Sequence, residues 1–244
     1  MDVQAVQLIP YLQASALYFK QKLTVHNFTV YNLNNDDVVC YVWHEGEGEF
    51  NAHIFASCLT NYLETEINCN KEIVIYSDGC GSQNRNATLS NALVSFLART
   101  KRVPIIQKYL EKGHTQIKCD SVHGVIERRK KHRDLHSPAQ YVLLIKEARL
   151  RNPYKVYYLQ HNFFRDFSKL IMFQSIRPGR NVGDPTVADL RCLKYLPAGD
   201  IQWKIRHTDE WQFLLQPRRL TVHGCPDAKT TPLYFSSSYY YCSY

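Results

Sequence analysis

Residues 22–33, KLTVHNFTVYNL, alternate apolar and polar side chains and are rich in β-branched and aromatic residues, which predicts a strand. The polar cluster Asn34–Asn35–Asp36–Asp37 interrupts that pattern as a turn. VVCYVWHE at 38–45 then reads as a second strand, so 22–45 predicts an antiparallel hairpin. Over 52–66 the spacing becomes helical and puts Ile54, Cys58 and Leu63 along one face. The apolar run Ile73–Val74–Ile75 predicts a strand that ends at Asp78. A helix over 87–99, a strand over 104–111 stopped at Gly113, and helices over 119–131 and 138–150 follow. Beyond about 153 the chain turns aromatic and basic, with short strands predicted at 155–159 and 201–206. The final SSSYYYCSY reads as a loose tail.

A hairpin followed by strands that alternate with helices implies a mixed α/β sheet with helices on its faces. The change in composition near 150 divides the chain into a core over 1–150 and a smaller α+β extension over 151–244. No apolar run approaches the ~18 residues of a membrane span, so no membrane partner is expected. The opening MDVQAVQLIPYLQ lacks the basic and apolar regions of a signal peptide. None of the eight cysteines forms a CxxC pair, which argues against a zinc ribbon and for reduced thiols inside the cell.

Charge changes the picture further. Residues 1–100 carry five Lys/Arg against ten Asp/Glu, whereas residues 101–244 carry 25 against 12. A basic half of this kind suits a polyanionic partner, and equally a solvated basic surface.

Two stretches carry candidate chemistry. In EIVIYSDGCGSQNRN, residues 72–86, a single carboxylate ends an apolar strand beside Gly79 and Gly81, which permit close backbone approach. Ligands gather at the carboxyl ends of strands in open α/β folds, although an isolated Asp there is also an ordinary cap. In GHTQIKCDSVHGVIERR, residues 113–129, Asp120, His123 and Glu127 share one helical face. Such a face suits Mg²⁺ or Mn²⁺, which take carboxylate and water oxygens, and two such ions can clamp a phosphodiester. The competing reading is a solvated helix face with Asp120 as its cap and His123 packed or orienting a carboxylate.

Taken with DVQAVQL and ALYFKQKLTVHNFTVYNL near the start and Trp43–His44–Glu45, these motifs resemble the transposase core of Sola-type DNA transposons, in order, from Asp2 to about Trp211. The resemblance implies a ribonuclease H-like fold, a mixed five-stranded sheet with helices on both faces. It also implies two Mg²⁺ or Mn²⁺ ions, DNA as partner, a nuclear site of action and a homo-oligomer. Carried across by motif, the first-strand acid is Asp2, the fourth-strand acid Asp78 and the helical acid Glu127, with Asp120 beside it. Gln83, Asn84 and Arg85 are then expected at the rim facing phosphates, and Arg128, Arg129, Lys130, Lys131 and Arg133 as a basic surface beyond Glu127. Only Met1 precedes Asp2, so the resemblance implies an N-terminally truncated copy: either a cleaving enzyme or a remnant that binds DNA or a protein.

Overall fold

The computed structural model describes residues 1–12, 22–67, 71–111, 117–170 and 172–215. The expected tail lies outside these residues. Strands β1 (Asp2–Val3), β2 (Gln7–Ile9), β3 (Leu23–Tyr31), β4 (Val38–His44) and β7 (Lys155–Tyr158) form one five-stranded sheet. Strands β5 (Ile73–Ser77), β6 (Ile105–Tyr109), β8 (Cys192–Tyr195), β9 (Ile201–Lys204) and β10 (Gln212–Phe213) form a second. Both are mixed: β4 runs parallel to β7 and β5 parallel to β6, while the remaining pairs are antiparallel. The expected α/β class and the 22–45 hairpin are present, with the strands in two sheets.

Four helices cover the sheets: α1 (Ala52–Thr65), α2 (Ala87–Thr100), α3 (Lys118–Lys130) and α4 (Pro138–Glu147). Three begin where a polar side chain accepts from orphan amides. Asn51 Oδ1 accepts from the amides of His53 and Ile54, Asn86 Oδ1 from that of Leu89, and Ser137 Oγ from that of Gln140. Lys101, in the left-handed region at φ 53°, ends α2.

The hairpin explains the unusual composition of β4. Val39, Tyr41 and Trp43 face one core with α1 and α2, and Val38, Cys40 and Val42 face another with α3 and α4. A strand buried on both faces is apolar throughout and does not alternate. The first core continues under the second sheet through Ile75, Ile105, Leu193 and Ile201, so the two sheets share it. Their edges also meet: the Met1 amino group, just ahead of β1, donates to the Tyr76 carbonyl of β5 at 2.8 Å.

Residues past 150 are built into this body. Strand β7 extends the first sheet beside β4, and β8, β9 and β10 extend the second beyond β6. Between them, Asn91 of α2 grips the backbone of Phe173 twice, its Nδ2 donating to the carbonyl and its Oδ1 accepting from the amide, both at 2.9 Å. Asn91 is 5% exposed, so water cannot replace these bonds. Asn91→Ala is expected to lower stability by about 1–3 kcal/mol, read as a reduced urea midpoint at unchanged slope.

Candidate metal centre

Strand pairing positions the first acid. Asp2 lies opposite Thr29 in the β1–β3 ladder, and Thr29 is fully buried. The Thr29 hydroxyl lies 3.0 Å from His123 Nε2, and its carbonyl accepts from Cys119 Sγ at 3.6 Å. One residue of β3 thus registers Asp2 on one side and the first turns of α3 on the other.

The result is a cluster in which ligand atoms of Asp2, Asp120 and His123 all lie within 4.8 Å of one another. Asp120 also serves its helix: its Oδ2 accepts from the Ile117 amide at 2.7 Å, three residues back, which is a different capping role from the N-cap expected. That bond occupies one carboxylate oxygen.

Asp78 follows β5 directly, and its charge reaches the cluster. Asp2 is pushed up to about 6, first by burial and then by Asp78 and Asp120, against the lowering effects of the Val3 amide and the terminal ammonium. Burial likewise lowers His123 to about 4, despite the opposing pull of Asp120 and Glu127. At neutral pH the imidazole is therefore uncharged, the form that binds metal. Two carboxylates and a neutral imidazole, with a third carboxylate near, are a donor set that fits Mg²⁺ or Mn²⁺.

The residues after Asp78 hold it in place. Asn84 Nδ2 donates to Asp78 Oδ1 at 2.5 Å, and the Cys80 amide donates to the same oxygen at 3.3 Å. Asn84 is itself held from behind, its carbonyl accepting from Gln107 Nε2 at 3.0 Å and from the Tyr109 hydroxyl at 3.3 Å. Arg85 is also turned inward: Nη1 donates to the Ala188 carbonyl at 2.8 Å, and the guanidinium lies 4.5 Å from the centre of the Tyr109 ring. A Cβ on Gly79 would stand 2.3 Å from Arg85 Nη2, so this glycine makes room for an arginine of the protein itself. Asn84 and Arg85 therefore support the site from within, whereas phosphate contacts at the rim were expected; Gln83 is half-buried.

Glu127 is engaged elsewhere. Its Oε1 accepts from Gln4 Nε2 at 2.7 Å and Gln7 Nε2 at 2.9 Å, and its Oε2 pairs with Lys130 at 2.8 Å. Gln4 is fixed in turn, its Oε1 accepting from Asn27 Nδ2 at 2.9 Å and the Tyr141 hydroxyl at 2.8 Å. Glu127 thus ties α3 to the segment between β1 and β2. The basic run divides similarly. Lys130 faces Glu127 and the Tyr11 ring, Arg133 pairs with Glu147 at 2.8 Å, and Arg128, Arg129 and Lys131 are exposed. Beside the cluster, a largely apolar cavity of about 740 Å³ opens between Val30–Asn34, Ile73–Tyr76 and Ile117–Cys119, and none of the four acids lines it.

A family model matches residues 12–164, well over half of the chain. The chain belongs to the DUF8701 family. That family is described only as a domain of unknown function. No curated protein and no solved structure matches the chain. The DUF8701 match takes in Asp78, Asp120, His123 and Glu127 and begins beyond Asp2, which joins them through the β1–β3 ladder.

His123 is the member of the cluster that spacing alone left undecided; its place on the Asp120 face was visible, its partner Thr29 was not. The burial of Asp2 has a measurable consequence. An acid whose folded pKa lies above its ordinary 3.8 destabilises the metal-free protein increasingly as pH rises from about 4 through about 6. In chelator at pH 7, Asp2→Asn should raise the melting temperature by roughly 2–4 °C, the response of a chain this size to about 1 kcal/mol, with no gain at pH 4. Mn²⁺ should stabilise the parent at pH 7 and leave Asp2→Asn unmoved.

Proposed function

We propose that this chain is a transposase-type catalytic core with a ribonuclease H-like arrangement, acting on DNA phosphodiesters with divalent metal held by Asp2, Asp78, Asp120 and His123. The observation that carries this reading is that Asp2, Asp120 and His123 bring ligand atoms within 4.8 Å of one another, with the imidazole neutral and the charge of Asp78, from a third segment, felt by Asp2. Supporting it, the strands run β4, β3, β1, then across the Met1–Tyr76 bond to β5 and β6. That order sets an acid on β1, where the two sheet edges meet, beside an acid at the carboxyl end of β5, with α3 bringing the third.

Bound there, Mg²⁺ or Mn²⁺ would act as a Lewis acid on the phosphate and lower the pKa of a coordinated water. The chain supplies the positions. Thr29 orients the His123 ring through Nε2, Asn84 and the Cys80 amide orient Asp78, and the Ile117 amide orients Asp120. Supporting hydrogen bonds of this kind keep metal ligands in place and set their basicity. The exposed Arg128 and Arg129 at the end of α3 suit the DNA backbone as positioning contacts.

Nicking of supercoiled plasmid in Mn²⁺ tests the reading. Asp78→Asn and Asp120→Asn should each reduce the rate at least about a hundredfold, the loss of several kcal/mol of charge stabilisation. Glu127→Gln should keep most of it, because its carboxylate already serves Gln4, Gln7 and Lys130. Loss of nicking in Glu127→Gln with retention in Asp120→Asn would reverse the two assignments. A parent that binds Mn²⁺ yet nicks no DNA, with its fold intact, would overturn the catalytic reading.

A further inference from the structure

The second sheet has a face that the acidic cluster does not use. Register places Tyr76 of β5, Lys108 of β6 and Lys204 of β9 in one row across it, on either side of Cys192 of β8, which is buried against His207, with Lys194 and Phe213 in the next row. Residues of the opposite face, Ile75, Gln107, Leu193 and Trp203, are buried in the core. On the outward face Tyr76 is 39% and Phe213 59% exposed. Three lysines lie against aromatic rings there: Lys108 Nζ is 5.7 Å from the centre of the Tyr76 ring, and Lys194 and Lys204 are 5.7 and 4.6 Å from that of Trp211. None of the three pairs with a carboxylate among the described residues, and Glu111, at the end of β6, is taken up by Arg191 at 3.8 Å.

We infer that this face is a binding platform for single-stranded nucleic acid, separate from the metal centre. The argument is charge complementarity joined to ring geometry. Unpaired ammonium groups meet a phosphate backbone, and the exposed Tyr76 and Phe213 with the half-buried Trp211 offer rings to unstacked bases, which is how strands are held without sequence preference. An acidic peptide would satisfy the lysines and leave the rings unused. Tyr76 and Lys204 are three strand intervals apart, roughly 14 Å, room for more than one nucleotide. The row starts two residues before Asp78, so a strand lying along it leads to the acids. The binding itself needs no metal and does not depend on the proposed cleavage.

Binding of fluorescein-labelled dT₂₀ and rU₂₀ to the full chain in EDTA, followed by anisotropy, tests the inference, and its failure is distinct from a failure to nick DNA. Lys194→Glu with Lys204→Glu should weaken binding of dT₂₀ at least tenfold and flatten the log–log salt slope by about 1.4, two phosphate contacts on a single strand. Trp211→Ala should weaken it roughly five- to hundredfold, with Trp211→Phe restoring most of the loss. Trp43 and Trp203 are buried, so quenching of tryptophan emission by dT₂₀ should report Trp211 and vanish in Trp211→Phe. Equal loss of rU₂₀ binding would extend the platform to RNA, and loss confined to dT₂₀ would restrict it to DNA. Unchanged dT₂₀ binding in the double lysine variant, or displacement of dT₂₀ by oligoglutamate at equal charge concentration, would overturn the proposal.

Discussion

The acidic cluster hangs from the pairing of β3 with its neighbours. Strand β3 is held by β4 from Val25 to Tyr31 and by β1 and β2 on its other edge. Its central residue for the site is Thr29, which registers Asp2 by backbone pairing and α3 by contacts from His123 and Cys119. Shifting β1 by a single residue would turn Asp2 to the opposite face of the sheet. Such a slip would break the bonds on either side of β1, from the Met1 amino group to the Tyr76 carbonyl and from the Gln4 amide to the Asn27 carbonyl.

Against that rigidity the acids exert a mutual repulsion. Asp2 feels Asp78 and Asp120 in a place where water is scarce, and its raised pKa is the mark of that conflict. Glu127, seven residues after Asp120 on the same helix, has both carboxylate oxygens taken by Gln4, Gln7 and Lys130. A cation would relieve the repulsion at Asp2, whereas Glu127 secures the helix.

Much of the fold was legible in the sequence because its signals are local. The alternation of 22–33, the polar turn after it and the helical spacing of 52–66 need no distant partner to be read. Strand β8 went unread: CLKY is four residues long and gains its identity only from β6, more than eighty positions earlier. The site was legible in the same measure. Asp78 and the Asp120 face stood out by position. The choice between Asp120 and Glu127 depends on Gln4 and Gln7, which lie about 120 residues away in sequence and whose bonds to Glu127 no local pattern announces. The resemblance set Arg85 at the rim, where a guanidinium can meet phosphates; Gly79, which admits that guanidinium over Tyr109, is intelligible only in three dimensions.

The way the late strands join the sheets bears on how this chain can be handled. Composition suggests a cut near 150, but β4 takes β7 as its parallel neighbour and β6 takes β8. A fragment ending at 150 would present two open rows of backbone donors and acceptors, flanked by Val39, Tyr41, Ile105 and Tyr109, residues of high strand propensity. Edges of that kind recruit one another, so the fragment would be an aggregating species. The unit of solubility in this protein is accordingly longer than its family match, and it extends at least to the strand that closes β6.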